Sequence, residues 1–483
     1  MPSPRSAKPQ VTLTFVRMRL FRPRAACFNW YGLFVATLRA QPFAMNISHS
    51  QPSAVTSPEP SRSYGSAMAV ISSVFFMWGF VTVLNDILVP HLKAIFDLNY
   101  TETMLIQFTF FSAYFLMSMP AAKVISWIGF HASIALGLGV MGVGALMFVP
   151  AATIPSYGVF LSGLFVVASG MTLLQVSANP YVAVLGPPEG ASSRLNLAQA
   201  LNSLGTTVGP WVGGFLILSA ATGTNETAGM TAAQMQAHKL VEASTVIKPY
   251  VGIAILLGVL AIAIGRFRLP TLAAIEDPSH HTHVEGDSVW RHRPLVLGAI
   301  GIFVYVGAEV AIGSFLVSYF MQPGIAGLGA QEAAKYVSFY WGGAMVGRFA
   351  GSAILRVVRT GTLLGINALV ACALVLMSVS TSGHVAMWSL ILVGLVNSIM
   401  FPSIFTLGID GLGKLTGQGS GILIAAIVGG AMIPIAEGAL ADRIGLQVAF
   451  LLPAVCYLYI VFYGFVGSRQ PGARSTVRPA TAP

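Results

Sequence analysis

Phe75-Phe76-Met77-Trp78-Gly79-Phe80-Val81-Thr82-Val83-Leu84-Asn85-Asp86-Ile87-Leu88-Val89-Pro90 is a long apolar run with one charge in it, Asp86. Traced back to residue 66, the run exceeds the about 20 residues a helix needs to cross the hydrocarbon of a bilayer. A carboxylate at such a place costs roughly 2.5–3.5 kcal/mol on insertion, and intramembrane acids carry protons or hold polar solutes. The run therefore predicts a membrane helix and marks Asp86 as a functional group.

Comparable runs recur at approximately 66–90, 103–122, 131–152, 157–184, 195–220, 249–267, 295–320, 333–355, 361–380, 385–407, 418–440 and 446–467. The chain is 55% hydrophobic and only 9% charged, against about 25% charged in a soluble domain, with a mean hydropathy of +0.76. So much apolar surface does not fit in a globular core. The expected fold is all-α and polytopic, with about twelve transmembrane helices rather than barrel strands.

The polar stretch 269–294 divides the helices six and six, giving one bundle over 65–268, a second over 295–468, and a tail over 469–483. The linker holds His280, His281 and His283. Nothing fixes their geometry, so the expectation is a solvated linker and no metal. The three cysteines, Cys27, Cys372 and Cys456, are widely spaced and form no disulfide or zinc framework.

Residues 1–64 carry +7 of the formal net charge of +10. The basic balance belongs to this extension and implies no nucleic-acid partner. The extension is Arg-, Ser- and Pro-rich, and its apolar patch near Trp30–Thr37 is too short to span. A transit peptide has similar composition. The plainer expectation is a disordered tail, or a start placed too early, with Met45 as the true one.

Lys and Arg in short loops set the orientation. Lys123, Arg194, Arg266, Arg268, Arg291, Arg293, Arg356, Arg359, Lys414 and Arg469 fall on one side, and Lys93, Lys239, Lys248, Lys335 and Arg443 on the other. The richer side is expected to be cytoplasmic, with both termini inside.

The halves resemble each other weakly. Asn179-Pro180-Tyr181-Val182-Ala183-Val184-Leu185-Gly186 ends the fourth run, and Phe401-Pro402-Ser403-Ile404-Phe405-Thr406-Leu407-Gly408 ends the tenth, 222 residues on. Trp78-Gly79 and Val306-Gly307 repeat at an offset of 228. Parallel six-helix halves point to a transporter of the major facilitator type, with its site at the midplane between them. Gly205, Gly209 and Gly213, and again Gly343, Gly347 and Gly351, form stripes that let helix backbones approach.

Polar groups gather at few places inside the runs: Thr82, Asn85 and Asp86 in the first, Gln175, Ser177 and Asn179 in the fourth, and Asn196, Gln199 and Asn202 in the fifth. Gln175 and Asn179 share a helix face at a spacing of four, and the fifth-run amides drift slowly around one. Amides supply donors and acceptors, which suits a ligand made of hydroxyl groups. As mere helix–helix links they are worth about 0.6 kcal/mol each, but five beside an acid favour a polar site. In the second half, Tyr305 and Glu309 share a face. Glu309 either faces the cavity or pairs with Arg348 to join two helices. Glu437, near Asp442-Arg443, is expected to reach the outer interface. Trp78 and Trp341 either stack on a sugar ring or pack as anchors.

A low-dielectric site penalises the ionised carboxylate, so Asp86 is suited to take a proton outside and release it inside. No Gly-x-x-x-x-Gly-Lys-Ser/Thr motif is present to hold ATP, and no cofactor is expected. Energy then comes from an ion gradient, with proton coupling simpler than sodium, or from the gradient of the solute itself.

Over about Phe75–Phe465 the chain resembles the fucose–galactose–glucose:proton symporter family of the major facilitator superfamily. The resemblance is carried by Leu84-Asn85-Asp86-Ile87-Leu88-Val89-Pro90, by Ser177-Ala178-Asn179-Pro180-Tyr181-Val182-Ala183-Val184-Leu185-Gly186-Pro187, by Arg194-Leu195-Asn196-Leu197-Ala198-Gln199-Ala200-Leu201-Asn202-Ser203, and by Tyr305-Val306-Gly307-Ala308-Glu309. It implies proton-driven sugar uptake across the bacterial inner membrane. It matches Asp86 to the family's essential carboxylate, and Asn179, Gln199 and Asn202 to positions lining the sugar cavity. Fucose permeases carry a glutamate where Gln175 stands and an asparagine where Val83 stands. Gln175 and Gly307-Ala308-Glu309 look like the glucose/galactose branch.

The expectation is a monomeric proton:hexose symporter for glucose and/or galactose, working by alternating access in the lipid bilayer. Asp86 is its proton carrier, and Asn85, Gln175, Asn179, Gln199, Asn202, Tyr305 and Glu309 line the sugar site. The alternatives are a fucose-type or other polyol transporter, a drug exporter, whose pocket would be more apolar, and a non-transporting sugar sensor. No nucleophile–base pair inside the runs suggests an enzyme.

Overall fold

The computed structural model describes residues 62–96, 100–153, 156–213, 247–267, 269–270 and 288–469; at 62–64, 84–96, 100–104 and 210–213 it describes backbone alone. These residues belong to the unit Glu59–Pro483; the other unit, Met1–Pro58, lies outside them. So do Cys27 and the histidines at 280, 281 and 283.

The described chain is helical, with no strand. Before the linker lie α1 (Arg62–Phe96), α2 (Tyr100–Thr153), α3 (Tyr157–Val184), α4 (Ala191–Gly213) and α5 (Ile247–Arg266). After it come α6 (Arg293–Phe320), α7 (Ala330–Ile354), α8 (Thr360–Ser380), α9 (Gly383–Asn397), α10 (Met400–Ile409), α11 (Thr416–Ala425), α12 (Gly429–Ile444), α13 (Leu446–Ala449) and α14 (Leu451–Phe462).

Several of the expected runs are divided or fused. The second and third are continuous in α2, interrupted at Gly129, whose φ of 77° only glycine adopts readily. The tenth is broken between α9 and α10, and the eleventh by a 3-10 turn at Ala426–Val428. Nine stretches among the described residues are long and apolar enough to cross a membrane, and Leu105–Thr153 alone has 49 residues. Both α4 and α7 fall short of that hydropathy. Asn196, Gln199 and Asn202 dilute α4, and Glu332, Lys335 and Arg348 dilute α7.

Large apolar side chains such as Phe108, Ile255, Val259 and Ile435 are exposed, as expected of surface that faces lipid tails. Glycine stripes set the tightest helix pairs. A Cβ on Gly205 would strike the carbonyl of Phe76, and one on Gly209 the side chain of Val83, so α4 lies directly on α1. Gly343, Gly347 and Gly351 likewise seat α7 on Leu395, Ser398 and Ile399. Both stripes pack within a half.

Between the halves, contact runs along α4–α7 and α2–α11. Hydroxyl groups join them at the end that carries Arg194, Arg356 and Arg359. The Ser192 and Thr406 hydroxyls are 2.6 Å apart, Thr360 donates to Ser192 at 2.9 Å, and Ser193 donates to the Ser352 carbonyl at 2.6 Å.

Candidate solute site

A cavity of about 240 Å³ lies between the halves. From the first half it is lined by Trp78, Thr82, Phe110, Tyr114, Gln175, Gln199, Asn202 and Thr206. The second half contributes Val306, Glu309, Arg348, Phe401, Pro402 and Ile427.

Helix periodicity explains which members of each cluster arrive. Gln199, Asn202 and Thr206 stand at i, i+3 and i+7 on α4 and share one face. Asn196 falls behind and donates to the carbonyl of Ser192 on its own helix at 2.9 Å. Gln175 lines the cavity, whereas Asn179 is fully buried behind it and accepts from Gln199 at 3.5 Å. Tyr305 is buried too; its hydroxyl donates to the Asn397 carbonyl at 3.1 Å. Glu309 combines both roles weighed for it: it lines the cavity, and its Oε1 stands 3.8 Å from Arg348 Nη2. The backbone of α1 places Asn85 and Asp86 within one turn beyond Thr82, and their side chains lie outside the described residues.

The amides share one orientation. Gln175 Nε2 donates to the Tyr114 hydroxyl at 2.7 Å, Asn202 Nδ2 to the Phe75 carbonyl at 3.0 Å, and Gln199 Nε2 to Asn179. Their amino groups are spent within the protein, and no described residue donates to their carbonyl oxygens. The first half thus offers an incoming solute acceptors. Across from them, Arg348 is a donor and Glu309 an acceptor. An uncharged solute rich in O–H groups satisfies both walls.

Trp78 edges the cavity, so it is placed to lie against a ring. Trp341 does not line it; this side chain is half-exposed and packs edge-on against Tyr340, ring centroids 5.1 Å apart. Glu437 corrects an expectation. It does not reach an interface but is fully buried, with neither carboxylate oxygen hydrogen-bonded. Its hydropathic surroundings gave no sign of which face of α12 it occupies. Sequence reasoning passed over Tyr114 and Phe401, since single aromatic residues in apolar runs carry no signal. Thr206 was legible, as the next member of the Gln199–Asn202 face.

Residues 69–433 match the family model of the Major Facilitator Superfamily. The chain belongs to the Major Facilitator Superfamily. Within this superfamily it is 52% identical over 415 residues to the glucose/galactose transporter of Brucella abortus (strain 9-941), covering 86% of this chain and 97% of that one. It is 34% identical over 412 residues to the L-fucose-proton symporter of Escherichia coli K12, with 83% and 93% covered. Among superfamily structures, FucP in the outward conformation superposes with a TM-score of 0.78 at 33% identity, covering 85% of this chain and all of that one. These relatives are transporters, not enzymes, and they bear out the fucose–galactose–glucose:proton symporter family, glucose/galactose branch, as this chain's place in the superfamily.

Proposed function

We propose that this protein is a proton:hexose symporter that takes up glucose and/or galactose across the bacterial cytoplasmic membrane by alternating access. The observation that carries this reading is the cavity between the halves, lined by three amides from one half and by a carboxylate and a guanidinium from the other. A pyranose donates its hydroxyls to the amide wall and accepts from Arg348, while Trp78 covers an apolar ring face. The substrate named for the Brucella abortus relative, at 52% identity, favours this hexose pair over fucose. So does Gln175, at the position where fucose permeases carry an acid.

Asp86 is assigned the proton. It follows Thr82, a cavity residue, by one turn of α1, and an acid inside a membrane helix takes a functional role by default. The proton coupling named for the Escherichia coli fucose symporter supports the same assignment. Asn85, Asn179 and Tyr305 serve as supports of the site rather than its lining. In this reading the protein works as a monomer, with both termini in the cytoplasm.

Uptake of labelled glucose, galactose and fucose into energised vesicles, with and without a protonophore, tests the proposal. Glucose or galactose accumulation that collapses with the protonophore is the expected result. Accumulation that survives it removes the proton, fucose alone removes the hexose assignment, and no uptake of any sugar removes the transporter reading.

A further inference from the structure

Arg348 lines the cavity from the second half, yet it also holds the first. Its Nη1 donates to the hydroxyl of Ser203 on α4. Its Nε donates to the carbonyl of Ser398, at the break between α9 and α10, at 3.3 Å. Its Nη2 stands 3.8 Å from Glu309 Oε1. That last separation exceeds the about 2.7–2.9 Å of a charge-assisted hydrogen bond, and Glu309 Oε1 receives no hydrogen bond. That oxygen is buried and its need for a donor is unmet within the protein, while Glu309 as a residue lines the cavity beside Arg348.

The partner inside the half is fixed by packing. A Cβ on the neighbouring Gly347 would meet the Leu395 carbonyl and the Ser398 side chain, so α7 lies directly against the segment that carries Ser398. The contact with Ser203 is the one that crosses between halves. It lies eleven residues along α4 from Ser192, about 16 Å at the helical rise. Ser192, Ser193, Ser203 and Thr207 thus make a row of bonds from α4 to the second half, Thr207 donating to the Met345 sulfur, and Ser203 is the member bonded to a cavity residue.

We infer that Arg348 is a positioning residue that ties occupancy at Glu309 to closure of the two halves at their basic end. A solute hydroxyl that donates to Glu309 and accepts from Arg348 draws the guanidinium toward the cavity and away from Ser203. A bound solute shifts a conformational equilibrium only through contacts that differ between the states, and this contact differs, because the Ser203 bond exists only while the halves are together. The nature of the solute rests on the hexose reading above; the tie across the halves does not.

The test uses the full chain in proteoliposomes, with Ser192→Cys as a reporter of opening at the basic end and the parent chain as the blank for its own cysteines. The maleimide labelling rate is measured without sugar, then with glucose. Removing the cross-half bond by Ser203→Ala is expected to raise the sugar-free rate severalfold. Arg348→Lys, which loses the planar fork, is expected to do the same. Glucose should speed labelling of the reporter chain and add little in either variant. Melting temperatures close to that of the reporter chain separate a shifted equilibrium from a loosened fold, and if one variant fails to fold, the other reads the same rate. A sugar-free rate unchanged in a folded variant overturns the inference. A raised sugar-free rate in the variants, with no response to glucose in the reporter chain itself, sustains the tie and counts against the hexose reading alone.

Discussion

Gln175 and Asn202 each commit their amino group to the protein, to Tyr114 and to the Phe75 carbonyl, and leave a carbonyl oxygen for the solute. Truncating either to alanine removes an acceptor from a wall that has few. Sugar affinity should fall by about 1–3 kcal/mol, the cost of leaving a buried donor unpaired, measured by equilibrium binding to the purified protein. Unchanged affinity would place that residue outside the site. Asp86→Asn keeps the shape and removes the titrating proton. It is expected to abolish protonophore-sensitive accumulation while sparing sugar exchange, and full accumulation in this variant would remove the carrier role. Glu437 makes the opposite kind of prediction. Its two oxygens are buried without hydrogen bonds, so Glu437→Met should raise stability by about 1–3 kcal/mol, read as a higher melting temperature in detergent. At this scale the sequence was informative about type and spacing but not about direction. Gln175 and Asn179 share a nominal face, yet Asn179 is turned onto Gln199 and only Gln175 meets the cavity. Four residues subtend about 40° of helix beyond a full turn, enough to separate lining from support.

Among the elements, hydropathy finds a helix most easily where the helix does least chemistry. Both α4 and α7 escape the hydropathy criterion because they carry polar and charged residues, Gln199, Asn202 and Arg348 of the cavity among them. The sequence reading still located them, as the apolar runs at 195–220 and 333–355. The breaks in the tenth and eleventh runs were less legible, because Pro402 and Pro434 sit beside rather than at the interruptions. Glycine also limits what these helices tolerate. Gly79 of α1 faces the backbone carbonyl of Asn202 on α4, leaving no room for a Cβ. Gly79→Ala must push α4 off α1 and carry Asn202 with it. Overpacking of this kind costs about 1–3 kcal/mol. The expected outcome is a lower melting temperature together with weaker sugar binding. Loss of stability with affinity intact would show that α4 repacks without moving its polar face.

For the whole molecule, the decisive feature is the row of hydroxyl contacts at the basic end. Alternating access requires that end to open, so Ser192 must leave Thr406 and Thr360, and Ser193 must leave the Ser352 carbonyl. Hydroxyl bonds suit this duty. Each contributes only about 0.5–1.5 kcal/mol net, and water replaces the lost partner once the end is open. An apolar seal would resist wetting, and a set of full ion pairs would hold harder. The geometry permits a direct test, because the Ser192 and Thr406 oxygens lie 2.6 Å apart and belong to different halves. A Ser192→Cys, Thr406→Cys chain should form a disulfide under mild oxidation and hold the basic end shut. Sugar exchange across proteoliposomes should fall at least tenfold on oxidation and return on reduction, while either single cysteine is insensitive to the oxidant. Solute entering from the opposite end should still bind the locked protein. Exchange that continues in a fully cross-linked sample would mean that these residues never separate, and the path between the halves would have to open elsewhere.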